Sequence, residues 1–146
     1  MSDPITSFRK EFWFLSNFHP APVAFEGVTY ETVEHAFQAA KSIDPSVREQ
    51  IRLCAKPGDA KRMGRQIMQR PGWYEMQERI MFNLVLQKFL QHETLRRKLI
   101  DTGDCEIIEG NTWGDVYWGA VAEGAVWKGK NKLGKILMRV RDIVSA

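Results

Sequence analysis

The apolar positions change period several times along the chain, and each change marks an element. After a loose terminus at residues 1–7, the aromatic-rich stretch Phe8–Phe14 reads as a strand, and Ser16-Asn17-Phe18-His19-Pro20 as a turn. Val23–Phe25 and Val28–Tyr30, separated by Glu26-Gly27, predict a hairpin with a two-residue turn. Thr32 is an N-cap for a helix running through Lys41, and Asp44-Pro45 starts a second helix with a cap followed by proline. A short helix is expected over Asp59–Met68, before the break at Pro71-Gly72. Trp73, Met76, Ile80 and Leu84 recur at helical spacing and predict a long helix over 73–90. Glu93–Thr102 is a further helix, closed by Gly103. Glu106–Glu109 reads as a strand, and Gly110–Lys130, with five glycines and little periodicity, as a long loop. Leu133, Leu137, Val140 and Val144 form the apolar stripe of a final helix. The sum is an α+β fold, a helix-rich single domain over 1–146 with a small sheet. A loop of about twenty residues in a compact domain is unusual and often functional.

Composition narrows this picture only a little. The 146 residues fit one domain, and 44% hydrophobic with 27% charged residues is the balance of an ordinary globular protein. No apolar run approaches the roughly 20 residues of a membrane span. Cys54 and Cys105 form no CxxC pair and read as two reduced thiols in a cytoplasmic protein. A net charge of +3 suits an anionic small-molecule ligand and, without a long basic run, does not argue for nucleic acid. Three of the five tryptophans, Trp113, Trp118 and Trp127, fall in the glycine-rich stretch, where packing alone explains them poorly.

The sharpest candidate chemistry lies in Thr32–Lys41. Glu34 and Lys41 are seven residues apart, about 700° of helical rotation, so they differ by only ~20° around the axis. Gln38 lies one turn beyond Glu34, which gives a stripe of carboxylate, amide and amine, with Ala36, Phe37 and Ala40 on the other side. On spacing alone such a stripe is a solvated face at least as readily as a catalytic one. Glu34 sits in the first turn, where the helix dipole lowers a carboxyl pKa and desolvation would raise it. The histidines show no zinc-ligand spacing, and Glu34-His35 is not part of an HExxH motif, so neither a metal nor a cofactor is expected.

Two further features stand near the C-terminus. Asn131 can cap the final helix, whose first amides would face a ligand anion with Lys130, Lys132 and Lys135 nearby. Gly134 in the first turn costs about 1 kcal/mol relative to alanine, a sign of close backbone approach. Asp115 is a second candidate carboxylate, and two carboxylates flanking a sugar suit glycosidic cleavage. Asp115 also fits a turn-forming role, and Trp73 begins the apolar stripe of its helix, which is a core position.

Taken together, Ser16-Asn17-Phe18 and Tyr30-x-Thr32-x-Glu34-His35-x-Phe37-Gln38-Ala39-x-Lys41 resemble the NADAR superfamily. Met63-Gly64-Arg65, Trp73, Lys88-Phe89, Asp115-x-x-Trp118-Gly119 and Gly129-x-Asn131-x-Leu133-Gly134-x-x-Leu137-Met138 follow in family order over nearly the whole chain. The resemblance implies an α+β fold and cleavage of an N-glycosidic bond between ribose and a base. The implied substrates are riboflavin-pathway intermediates or, in one branch, ADP-ribosylated guanine in DNA. It casts Glu34, Trp73 and Asp115 as catalytic, with Lys41 as the position for a Schiff-base route. Asn17, Arg65, Trp118 and Asn131 would contact phosphate or ribose, and Phe18, His35, Gln38, Gly119 and Gly134 complete the implied substrate-binding set. One departure follows Trp118-Gly119. Many relatives continue there as WGDG, whereas this chain has Ala120-Val121-Ala122-Glu123-Gly124. A module that binds ADP-ribose without turnover, or a protein-interaction role for the tryptophan-rich loop, would use the same residues.

Overall fold

The computed structural model describes residues 3–146. They gather into two compact units: Asn17–Lys88, and the chain up to Ser16 together with Phe89–Ala146. Helices dominate, joined by two small antiparallel hairpins, so the α+β expectation holds. No helix among the described residues is long and apolar enough to cross a membrane.

In the first unit, β1 (Val23–Phe25) pairs with β2 (Val28–Tyr30) in the register Val23↔Tyr30. Glu26 and Gly27 both take positive φ, as the expected two-residue turn requires. Gln87 clamps the exposed edge of β1, its Nε2 donating to the Ala24 carbonyl while its Oε1 accepts the Ala24 amide. Helix α1 (Val33–Ala40) starts on Thr32, whose hydroxyl accepts the His35 amide at 3.0 Å. All eight residues of α1 are buried. Helix α2 (Pro45–Arg52) is capped by Asp44 as predicted, its carboxylate accepting the Ser46 amide. Helix α3 spans Pro57–Gly64 rather than 59–68, because Pro57 supplies a favoured first helical residue two positions upstream. Ala60 and Gly64, one turn apart, are its buried residues, and α3 packs on α1. Helix α4 (Trp73–Gln91) matches the expected span, with Trp73, Ile80, Met81, Leu84 and Val85 in the core.

In the second unit, the expected strand at Phe8–Phe14 is a 3-10 helix, Lys10–Leu15. Consecutive residues of a strand face opposite ways, yet Phe14 and Leu15 are both buried, which a tight helical turn permits. Phe14 meets Phe89 edge-on at 6.4 Å. The terminus is not loose as far as residue 7 either. Ile5 is buried and forms a parallel bridge with Ile107, donating to the Glu106 carbonyl and accepting the Ile108 amide, both at 2.8 Å. Residues 1 and 2 lie outside the described part.

Helix α5 (Glu93–Asp101) ends at Gly103 with positive φ, as expected. Residues 106–109 make that single bridge instead of a strand, because a side chain takes the place of a second partner. Asn131 Nδ2 donates to the Ile107 carbonyl and Asn131 Oδ1 accepts the Glu109 amide, each at 2.9 Å. The presumed loop 110–130 contains a hairpin, β3 (Val121–Glu123) with β4 (Val126–Lys128), turning at Gly124. The departure from the family pattern at 120–124 therefore falls in this hairpin. Helix α6 (Lys132–Ser145) packs Leu133, Leu137 and Val140 inward.

Candidate active site

The structure divides the expected site residues between the two units: Asn17, Phe18, Glu34, His35, Gln38, Lys41, Arg65 and Trp73 in one, Asp115, Trp118, Gly119, Asn131 and Gly134 in the other.

The first group is built on α1. Glu34 is 8% exposed and Gln38 4%, so the polar stripe is an interior feature and not a solvated face. Gln38 Nε2 donates to Glu34 Oε2 at 2.5 Å, the one-turn pairing the spacing predicted. The Asn17 carbonyl accepts the Glu34 amide, while Asn17 Nδ2 reaches Met81 Sδ at 3.4 Å. Burial pushes the Glu34 carboxyl above the usual carboxylate range. The Gln38 hydrogen bond and the charges of Lys61 and Lys41 pull it back only in part. Of the two opposing influences on Glu34 weighed from the sequence, desolvation prevails in the folded chain.

Lys41 caps α1 and is half-buried, with Nζ 5.9 Å from the Phe37 ring centroid. Burial pushes its ammonium pKa down. Glu34 opposes that, and the cations Arg65 and Lys61 add to it. The net result is a lowered amine pKa, whereas Glu34 alone would have favoured the charged form. Phe37, expected to pack, meets Trp73 with ring centroids 5.2 Å apart. Trp73 is 4% exposed, so it is a core residue of this unit as its stripe position suggested. Arg70 fixes the end of α1: its amide donates to the Lys41 carbonyl at 2.7 Å. Arg65 is exposed at the end of α3, and Phe18 is partly buried.

His35 is fully buried with both ring nitrogens engaged within the protein. Nε2 faces the Cys54 carbonyl at 3.0 Å, which can only accept, so Nε2 carries the proton and Nδ1 accepts from the Thr32 hydroxyl. The ring ties α1 to the segment after α2 and leaves no nitrogen for a ligand. Lys61 was missed by the sequence reading. On a helix of alternating small and charged residues nothing distinguishes it, and only the packing of α3 on α1 brings its charge to Glu34 and Lys41.

In the other unit, Asp115 does form a turn. Its Oδ1 accepts the amides of Tyr117 at 3.0 Å and Trp118 at 2.9 Å, and Asn111 holds its backbone on both sides. Trp118 is partly buried and edge-on to Tyr117 at 5.0 Å. Gly119 is buried where a Cβ would lie 2.8 Å from Asn111 Nδ2. The start of α6 is not an open anion site. The amides of Lys130, Asn131, Lys132 and Leu133 donate to the carbonyls of Val116, Gly119, Tyr117 and Trp118. Asn131 makes no side-chain cap and takes a left-handed backbone instead. The close approach expected at Gly134 is real, but it is made by the Ile107 carbonyl and the Asn131 amide, the protein's own groups.

Comparison with known proteins agrees with this fold. The NADAR domain model matches residues 6–145. The chain is 38% identical to the N-glycosidase YbiA of Escherichia coli, over 97% of this chain and 89% of that protein. It is 35% identical to a riboflavin biosynthesis protein of Vibrio vulnificus, over 88% of this chain and 35% of the longer relative. The NMR structure of the E. coli YbiA protein superposes with a TM-score of 0.81 at 37% identity, covering 99% of this chain and 87% of that one. A family model over residues 6–145, and a relative matched over 89% of its own length, establish that this chain belongs to the NADAR domain family.

Proposed function

We propose that the chain, an enzyme of the N-glycosidase class, hydrolyses the ribose–base bond of phosphoribosyl-aminopyrimidine intermediates of riboflavin synthesis, with Glu34 at its centre. The observation that carries this reading is the buried Glu34 carboxyl, held by Gln38 and raised in pKa by desolvation. A carboxylate whose pKa is raised is a stronger general base than an exposed one. Water bonds to the anomeric carbon as the carbon–nitrogen bond breaks, and the electron pair leaves with the base. Glu34 takes the water's proton and passes it to the departing nitrogen, which restores the carboxylate, and that negative charge stabilises the oxocarbenium-like state. Asp115 is proposed as the second carboxylate, and Asn17, Phe18, Arg65 and Trp118 as contacts to ribose or phosphate. The relative named for riboflavin biosynthesis supports the substrate class.

A second reading has a specific observation in its favour, the lowered pKa of Lys41. For ADP-ribosylated guanine in DNA, the neutral Lys41 amine bonds to the anomeric carbon of the opened sugar, guanine departs, and water later frees the sugar from the imine. Incubation with both substrates tests the two. The first reading expects release of ribose 5-phosphate from the aminopyrimidine. The second expects release of ADP-ribose, with an adduct trapped by borohydride in the native chain and lost in Lys41→Arg. If neither substrate is cleaved while ADP-ribose still binds, the chain is a binding module and both readings fall.

A further inference from the structure

The Gln38 amide has one donor end and one acceptor end, and the fold treats them differently. Nε2 donates to Glu34 Oε2, whereas Oε1 is buried and, among the described residues, has no hydrogen-bond partner. Its side chain lies against Gly64 at the end of α3. A Cβ at position 64 would sit 2.7 Å from Gln38 Cδ and 3.2 Å from Gln38 Cβ, and nearer still to Oε1. Gly64 does not take positive φ, so its backbone does not require glycine. Alanine is the better helix former, which leaves the Gln38 contact as the reason for a hydrogen at this position.

If the amide turned over, Oε1 would face the Glu34 carboxylate, lone pair against lone pair, and the donor would point at a carbon. We propose that Gly64 is a positioning residue for Glu34: the space its side chain would fill holds the Gln38 amide against α3 with Nε2 turned to the carboxylate. Gly64 acts through Gln38 and touches no reacting group. The other charged or titratable groups that act on Glu34 are Lys61 from α3 and Lys41 and His35 from α1 itself. The effect on turnover rests on the N-glycosidase reading; the effect on Glu34 does not.

The test follows the Glu34 carboxyl carbon by NMR through a pH titration in the native chain, Gly64→Ala, Gln38→Ala and the double variant. Gly64→Ala is expected to displace the amide and shift the Glu34 midpoint upward, as Gln38→Ala does. Adding Gly64→Ala to Gln38→Ala is expected to shift it no further, because the intermediary is gone. With a cleavable substrate, turnover of Gly64→Ala falls on the order of ten- to a hundredfold, and the pH profile moves with the NMR midpoint. An unchanged midpoint in Gly64→Ala, or equal shifts with and without Gln38, overturns the proposal. If Gly64→Ala fails to fold but the double variant folds, the collision with Gln38 is demonstrated. If both fail to fold, glycine serves packing alone and the proposal is wrong. Since the titration uses no substrate, absence of N-glycosidase activity would leave this result standing.

Discussion

Gln38 donates to Glu34 at 2.5 Å from one turn further along α1, inside a helix with no exposed residue. A carboxyl-and-amide pair on the buried side of a helix costs desolvation free energy, and its presence points to chemistry more than to stability.

Glu34→Gln is expected to reduce turnover on the order of a hundredfold or more, with substrate binding kept. It is also expected to stabilise the fold at neutral pH. Because the folded pKa of Glu34 is raised, the folded chain keeps a proton that the unfolded chain has lost, so stability falls as pH rises through that window. The advantage of the variant should therefore vanish below the usual carboxylate range. Urea unfolding of both chains at pH 3 and pH 7 checks this; an equal difference at both values contradicts it.

Trp73→Ala is expected to destabilise the chain by about 3–5 kcal/mol, since the ring is buried against Phe37. Trp73→Phe should recover much of that loss. Should Trp73→Phe fold normally and still lose activity, the indole contributes to the reaction as well as to the core.

Asn131→Ala removes both bonds by which the side chain holds residues 107–109, and leaves the Ile107 carbonyl and the Glu109 amide short of a partner. A loss of about 2–4 kcal/mol is expected. Amide exchange should accelerate at Glu109 and in the first turn of α6, and protection there equal to that of the native chain would refute this role.

Lys88 is almost wholly buried, and desolvation lowers its pKa to about 7. Between pH 7 and the ordinary lysine range the unfolded chain carries a proton that the folded chain lacks, so stability rises with pH across that window. The full effect amounts to roughly 5 kcal/mol. Lys88→Met should flatten the slope of stability against pH from 7 to 10, whatever constant offset the loss of the side chain adds. A slope unchanged by the substitution would mean that Lys88 is hydrated.

The elements legible in the sequence were those set by short-range rules. The Glu26-Gly27 turn, the Thr32 and Asp44 caps, the Gly103 stop and the spacing of Trp73 to Leu84 each depend on residues within a few positions of one another. The misread segments depend on distant partners. Phe8–Phe14 has strand-like composition, but no strand among the described residues lies beside it, and burial of adjacent Phe14 and Leu15 favours the tight helix. Residues 106–109 stop at one bridge because the Asn131 amide, 22 positions beyond Glu109, takes up their polar groups.

The candidate site divides in the same way. By itself the sequence determined that Glu34, Gln38 and Lys41 lie along one side of a helix, because the 3.6-residue repeat is intrinsic to the backbone. Whether that side met water or protein was not in the spacing, and tertiary structure decided it. Packing α3 through Ala60 and Gly64 onto α1 buries the stripe and brings Lys61 to Glu34. Desolvation and through-space charge are set by whatever surrounds a group, so the raised carboxyl of Glu34 and the lowered amine of Lys41 exist only in the folded chain.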